Sequence, residues 1–191
     1  MRWLCYNQSM FTDPIKNLRA FGLREDSIVA DLGAGTGYYS LAAYMMVPQG
    51  KVYAVEIAKD FLTTIKNRAL EAKCDNLECL WGDVEKIGGT NLGDNIVDAV
   101  IASNILFQVE DKNKFIDEIK RILKPGGKVL LVDWLVDSSP ENAVEFSFAK
   151  PKGTLSAHRA REVFERKGFV LGRDIDAGAH HYGMILVKTN E

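Results

Sequence analysis

Ile28-Val29-Ala30-Asp31-Leu32-Gly33-Ala34-Gly35-Thr36-Gly37-Tyr38-Tyr39-Ser40 is the stretch that decides the fold of this 191-residue chain. An apolar, partly β-branched run ends in an acid at Asp31, and glycines follow at every second position: Gly33, Gly35 and Gly37. Beyond them Leu41, Ala42, Tyr44 and Met45 return at helical spacing. A short strand, a glycine-punctuated turn and a helix, in that order, open a βαβ unit. Lacking Cβ atoms, such a turn bends sharply and lets a ligand approach its backbone.

Working outward, Asp13 is suited to be the N-cap of a preceding helix, with Pro14 in its first turn. Ile15, Leu18 and Phe21 form that helix's apolar stripe, and Gly22 closes it. The first strand covers 27–32 and the helix after the glycines about 38–46, broken by Pro48-Gln49-Gly50. A second strand, 51–56, ends in Glu56. Residues 59–73 read as a helix with Phe61, Leu62, Ile65, Ala69 and Leu70 on its buried side. A short third strand at 77–80 leads into Trp81-Gly82-Asp83-Val84 and a Gly- and Asn-rich loop. The fourth strand, 96–102, is nearly all apolar, as in strands covered on both faces.

Residues 111–123 read as an amphipathic helix with Phe115, Ile116, Ile119, Ile122 and Leu123 inward, ending at Lys124-Pro125-Gly126-Gly127. A fifth strand follows at 128–134, then an irregular loop over 137–153 and a helix over 156–167 closed by Gly168. Strands at 169–174 and 182–188 are joined by a loop too short for a crossover, so they pair antiparallel. The alternation predicts an α/β fold: a doubly wound, seven-stranded, mostly parallel sheet with a C-terminal antiparallel hairpin. One domain over 1–191 is expected. Its first 13 residues, with Trp3, Tyr6, Met10 and Phe11, form an N-terminal arm that either folds over the site as a lid or packs on the core.

With 47% hydrophobic and 26% charged residues the composition is that of an ordinary globular protein. A net charge of −2 with scattered Lys and Arg argues against bulk nucleic-acid binding. Cys5, Cys74 and Cys79 make neither an even set nor a metal-ligand pattern, so free thiols and no metal are expected. There is no signal-peptide core and no apolar run near the roughly 20 residues of a membrane span. A cytoplasmic location follows as an expectation. Nothing in the sequence speaks to oligomeric state.

The turn fails the dinucleotide fingerprint Gly-x-Gly-x-x-Gly, whose third glycine lets helix pack on strand. Counted from Gly33 and Gly35 that position is Tyr38; counted from Gly35 and Gly37 it is Ser40. No Lys or Arg stands near the glycines to meet a pyrophosphate. Four further segments accompany the turn. They are Glu56, Gly82-Asp83-Val84, Val97-Asp98-Ala99-Val100-Ile101-Ala102-Ser103-Asn104 and Leu123-Lys124-Pro125-Gly126-Gly127-Lys128. Together, over about residues 13–188, they resemble the class I S-adenosylmethionine-dependent methyltransferases. Within that class the chain is most similar to the small-molecule group allied to ubiquinone/menaquinone-pathway and arsenite methyltransferases.

The resemblance implies S-adenosylmethionine as cofactor and methyl transfer to a small-molecule acceptor. It implies that Asp31, Gly33, Ala34, Gly35, Thr36 and Gly37 take the methionine end. Asp31 would meet the ammonium, fix the turn, or both. Glu56 matches the ribose-binding acid, able to accept both ribose hydroxyls. Ile57 would pack on an adenine face, and Gly82, Asp83 and Val84 would meet the adenine edge, unless Asp83 only forms a turn. Ser103, Asn104, Phe107 and Gln108, with Asp133 and Trp134, belong to the crevice at the strands' C-terminal ends.

His180 and His181 fall where the sixth strand ends and the seventh begins, on that same side. Either is a candidate general base near neutral pH, or both are exposed turn residues. His158 starts a helix away from the crevice. Phe107, Trp134, Phe146 and Phe148 would line an apolar pocket for a planar or lipophilic acceptor. The site cysteines of the arsenite enzymes have no counterpart here, since Cys74 and Cys79 lie on the adenine-side flank. A non-catalytic adenosyl-cofactor binder or supporting subunit would carry the same cofactor motifs. An NAD-dependent oxidoreductase is the remaining rival.

Overall fold

A computed structural model describes residues 12–135 and 153–190. In chain order the elements are α1 (Pro14–Phe21), β1 (Ile28–Leu32), α2 (Tyr38–Met46), β2 (Lys51–Glu56), α3 (Lys59–Glu71) and β3 (Leu77–Trp81). They continue with β4 (Val97–Ser103), α4 (Lys112–Ile122), β5 (Leu123–Trp134), α5 (Ala157–Glu165), β6 (Phe169–Ile175) and β7 (His181–Lys188). The strands form one sheet in the order β3-β2-β1-β4-β5-β7-β6. Neighbours from β3 to β5 run parallel, and β7 lies antiparallel between β5 and β6. The predicted fold class is therefore the observed one, hairpin included.

Strand order reverses between β1 and β4. In an open α/β sheet that switch point leaves a crevice at the strands' C-terminal ends, where ligands bind. The two caps of α1 read from the sequence are formed. Asp13 accepts the Lys16 N–H at 3.1 Å, and Gly22, at φ 72, closes α1 with its N–H on the Leu18 carbonyl. Asp111 caps α4 through the Asn113 and Lys114 amides, and Ser156 caps α5 through Arg159. Such caps satisfy N–H groups that have no partner inside the helix.

The core has two layers, one on each face of the sheet. On one face Phe115, Ile116, Ile119 and Phe164 of α4 and α5 pack with Val100, Ala102, Leu131 and Met184. On the other Leu18, Phe21, Tyr39, Ala42 and Ala43 of α1 and α2 pack with Val29, Ile101, Leu130, Val132 and Ile185. Both layers anchor on the middle strands, which fixes the C-terminal rim against them.

Several details depart from the expected pattern. On α3 Leu62, Ile65 and Ala69 are buried, but Phe61 is 44% and Leu70 76% exposed. Positions 61 and 70 flank a stripe that 62, 65 and 69 already fill, so at 100° per residue they turn away. On α2 the buried set is Tyr39, Ser40, Ala42 and Ala43, while Met45 faces solvent. Hydrogen bonds from Ser40 to Asp31 and from Asn17 to Tyr39 hold polar side chains inside, a choice apolar spacing cannot reveal.

The fifth strand begins at Leu123 instead of 128, because Leu123 already pairs with Val97 of β4 before Lys124-Pro125-Gly126-Gly127 bulges out of the register. An irregularity between Val97 and Ala99 absorbs the left-handed Gly126, at φ 71. Trp3, Tyr6, Met10 and Phe11 of the expected arm, and Phe146 and Phe148, lie outside the described residues. Among those described, no helix is long and apolar enough to cross a membrane.

Candidate functional site

Asp31 ends β1 on the rim of the crevice and is buried. The Ser40 hydroxyl donates to its Oδ2 at 2.5 Å. Burial pushes the Asp31 carboxyl up to about 7 against that bond, and the nearby Glu56 charge adds to the rise. The turn that follows is anchored by the Gly33 and Ala34 N–H groups, both donating to the Val55 carbonyl, at 2.9 and 3.1 Å.

Its three glycines are all left-handed but for different reasons. A Cβ on Gly33, at φ +68, would stand 2.0 Å from Ile105 Cδ1, and one on Gly37, at φ +84, 3.0 Å from Ile65. Gly35, at φ +55, has no atom of the described residues within 4 Å of the corresponding point, so its outer side is open toward them. Arg68 donates to the Thr36 carbonyl at 2.7 Å and lies over the Tyr38 ring at 4.8 Å. Tyr38, the failed third glycine of a dinucleotide turn, is 57% exposed.

Glu56, at the end of β2, is buried and bridges two turns. Its Oε2 accepts the Gly35 N–H at 2.8 Å, and its Oε1 accepts the Ile57 and Ala58 N–H groups, each at 2.9 Å. Ile57 is 54% exposed, and Trp81 donates its indole N–H to the Ile57 carbonyl at 2.9 Å. The register Glu56↔Trp81 sets Gly82, Asp83 and Val84 beside Glu56. Asp83 accepts the Glu85 N–H at 3.1 Å and pairs with Lys86 at 2.8 Å. That cation holds its carboxyl below the usual range, and Val84 is buried. Gly82 cannot carry a side chain here, since a Cβ would meet the Gly89 carbonyl at 2.7 Å.

The loop around these residues hangs on Glu118 of α4, which is fully buried. Its carboxylate accepts from the Gly88 amide at 2.8 Å, the Thr90 hydroxyl at 2.6 Å and Arg121 at 2.7 and 2.8 Å. Sequence reasoning passed over Glu118 as a polar helix position; only its distant partners identify it.

At the ends of β4, β5 and β7 the rim continues. Ser103 meets the Tyr39 hydroxyl, which also accepts from Asn17 at 2.8 Å and donates to Thr12 at 3.2 Å. Asn104 has left-handed φ 53, donates its N–H to the Val132 carbonyl at 2.8 Å, and keeps a buried Oδ1 with no partner among the described residues. Gln108 donates its side-chain amide to the Asn104 carbonyl at 2.8 Å. Cross-strand pairs Asp133↔Tyr182 and Trp134↔His181 close the row. Because successive strand residues face opposite ways, Trp134 and His181 share one face while Asp133 and Tyr182 share the other.

The two histidines separate. His181 is buried in β7, with its ring 4.4 Å from that of Trp134 and its Nε2 without a partner among the described residues. Desolvation, helped by His180, lowers its pKa to about 4, so it is neutral across the physiological range. His180 is half-buried in the preceding turn, and its carbonyl accepts the Leu135 N–H at 2.8 Å. His158 is exposed in the first turn of α5, its Nε2 3.3 Å from Glu162.

A sequence family described as a methyltransferase domain matches residues 23–170. An arsenite methyltransferase from Halobacterium salinarum is 29% identical over 126 residues, 65% of this chain and 31% of that protein. The ubiquinone/menaquinone biosynthesis C-methyltransferase UbiE of Hahella chejuensis is 30% identical over 121 residues, 62% of this chain and 47% of that protein. The chain thus spans less than half the length of these two relatives. A solved S-adenosylmethionine-dependent methyltransferase from Aquifex aeolicus superposes with TM-score 0.80 at 27% identity, covering 93% of this chain and 90% of that one. The chain belongs to the methyltransferase domain family, in the S-adenosylmethionine-dependent class that its motifs resemble.

Proposed function

We propose that the chain, as a single methyltransferase domain, transfers the methyl group of S-adenosylmethionine to a small-molecule acceptor at the C-terminal rim of the sheet. The observation that carries this reading is Gly35: a left-handed residue whose outer side is open among the described residues, its N–H held by Glu56, one turn from buried Asp31. The residues fit the cofactor on a second count, since Asn104 offers a buried oxygen that finds no partner among the described residues. A buried acceptor without a partner is costly, and a ligand donor would relieve it.

In this reading Asp31 and residues 33–37 hold the methionine end, with ionised Asp31 facing the ammonium. Glu56 takes the ribose. A carboxylate has about four acceptor positions, and three here already serve backbone N–H groups. One ribose hydroxyl fits without rearrangement, and a second requires a backbone bond to yield. Ile57 covers an adenine face, while Gly82, Asp83 and Val84 border the ring edge. Asp83 is kept ionised by Lys86 and so remains an acceptor. Ser103 and Asn104 close the crevice.

When bound, the cofactor supplies a methyl group already activated on a sulfonium, so the chain's own task is to orient the acceptor and keep water out. Trp134 and Phe107 give the acceptor apolar contact, which favours a planar or lipophilic molecule. His181 offers its Nε2 to a donor on that molecule; with a pKa of about 4 it is a weak base and serves first to orient. His180 stands behind it in the turn.

The test is a panel of planar and apolar small molecules incubated with S-adenosylmethionine, with the demethylated cofactor as readout. Turnover on at least one, slowed in His181→Ala with unchanged cofactor affinity, is the expected result. Turnover confined to protein or RNA acceptors would overturn the acceptor class.

A further inference from the structure

Asp133 belongs to no motif, yet three backbone N–H groups from two segments converge on it. Its Oδ1 accepts the Trp134 N–H at 2.7 Å and its Oδ2 the Phe107 N–H at 3.2 Å, with the Leu106 amide also bonded to the carboxylate. It is 1% exposed at the end of β5. The turn it grips carries Ser103 and Asn104 at its start. Ile105, the next residue, lies with its Cδ1 only 2.0 Å from where a Gly33 Cβ would stand. The same turn receives the returning chain, because a Cβ on Gly153 would be 2.4 Å from the Phe107 carbonyl.

We propose that Asp133 is a positioning residue of the cofactor site. Its carboxylate fixes the turn between β4 and α4, and the turn seats Ile105 in the hollow left by Gly33, setting the glycine backbone. This rests on reading that backbone as the seat of S-adenosylmethionine.

Only an ionised carboxylate can serve these donors at both oxygens; a neutral acid or amide has to turn a donor toward some of them. A buried N–H released in this way loses its partner without gaining water. Burial pushes the Asp133 carboxyl up to about 6, while the three backbone donors and Lys112 of α4 oppose the rise. Tyr182 of β7 faces it as well, its hydroxyl buried with no partner among the described residues. Protonation below about pH 6 therefore loosens the grip on the turn.

The experiment is a double-mutant cycle with Asp133→Asn and Ile105→Ala, read by calorimetric titration of S-adenosylhomocysteine at pH 7.5. Asp133→Asn should weaken binding about tenfold, as for one lost hydrogen bond to a charged group. If Asp133 acts through Ile105, the double variant binds no worse than the weaker single one. Additive losses, or unchanged affinity in Asp133→Asn, overturn the proposal while wild-type binding upholds the site. A wild type that does not bind overturns both.

Should Asp133→Asn fail to fold, hydrogen exchange on the wild type decides. Protection of Leu106, Phe107 and Trp134, corrected for intrinsic exchange, should rise with pH through about 6. Val100 and Val129 should not follow. Flat protection at all five amides contradicts the role given to Asp133.

Discussion

Asp31 is half protonated near neutral pH, because burial lifts its pKa from 3.8 to about 7. In the unfolded chain it ionises near its ordinary value, so between about pH 4 and 7 the folded state binds the extra proton. Stability attributable to this group is therefore greatest at low pH and falls as pH rises to about 7. The limiting slope is about 1.4 kcal/mol per pH unit for one proton. Asp133 contributes in the same direction up to about pH 6. Denaturant titrations at pH 5, 6, 7 and 8 should show a shallower decline for Asp31→Asn than for wild type; parallel curves would mean that Asp31 ionises normally in the fold. An ionised Asp31 is also the form that favours a cation. Affinity for S-adenosylmethionine should thus climb with pH and level off above about 7.

Among the elements, the loop between β3 and β4 depends on one helix. Glu118 of α4 satisfies the Gly88 and Thr90 amides and Arg121 together, all within 3.2 Å. Glu118→Ala leaves the Gly88 and Thr90 donors without their acceptor, while Arg121 keeps Asp94 and the Leu92 carbonyl, so the loss is that of unsatisfied buried donors, about 1–3 kcal/mol. The midpoint of chemical denaturation should fall accordingly; a loss under about 1 kcal/mol, the worth of a surface pair, would mean the network is solvated. The strand–glycine–helix unit, the acid ending β2 and the hairpin were legible because each follows from local pattern and chain order. Leu70 and Phe61 misled because apolar identity does not say which edge of a helix the sheet covers. Asn17, Tyr39, Glu118 and Asp133 were illegible as buried groups: each is kept inside by partners far along the chain, as with Glu118 and Thr90. His181 shows the same limit, since chain order put it near the rim but only its pairing with Trp134 buries it.

At the scale of the whole molecule, the reversal of strand order between β1 and β4 brings Asp31, Glu56, Ser103, Asp133 and His181 to one rim, from five strands. Family membership gives the class of chemistry; the acids and the open side of Gly35 argue for where the cofactor sits. Calorimetric titration of wild type and Glu56→Ala with S-adenosylmethionine, and of wild type with NAD, tests that claim most directly. We predict binding of S-adenosylmethionine to wild type, a loss of about 2–3 kcal/mol in Glu56→Ala, as for hydrogen bonds to a charged group, and no heat with NAD. Equal affinity in the variant, or binding of NAD alone, would contradict the account.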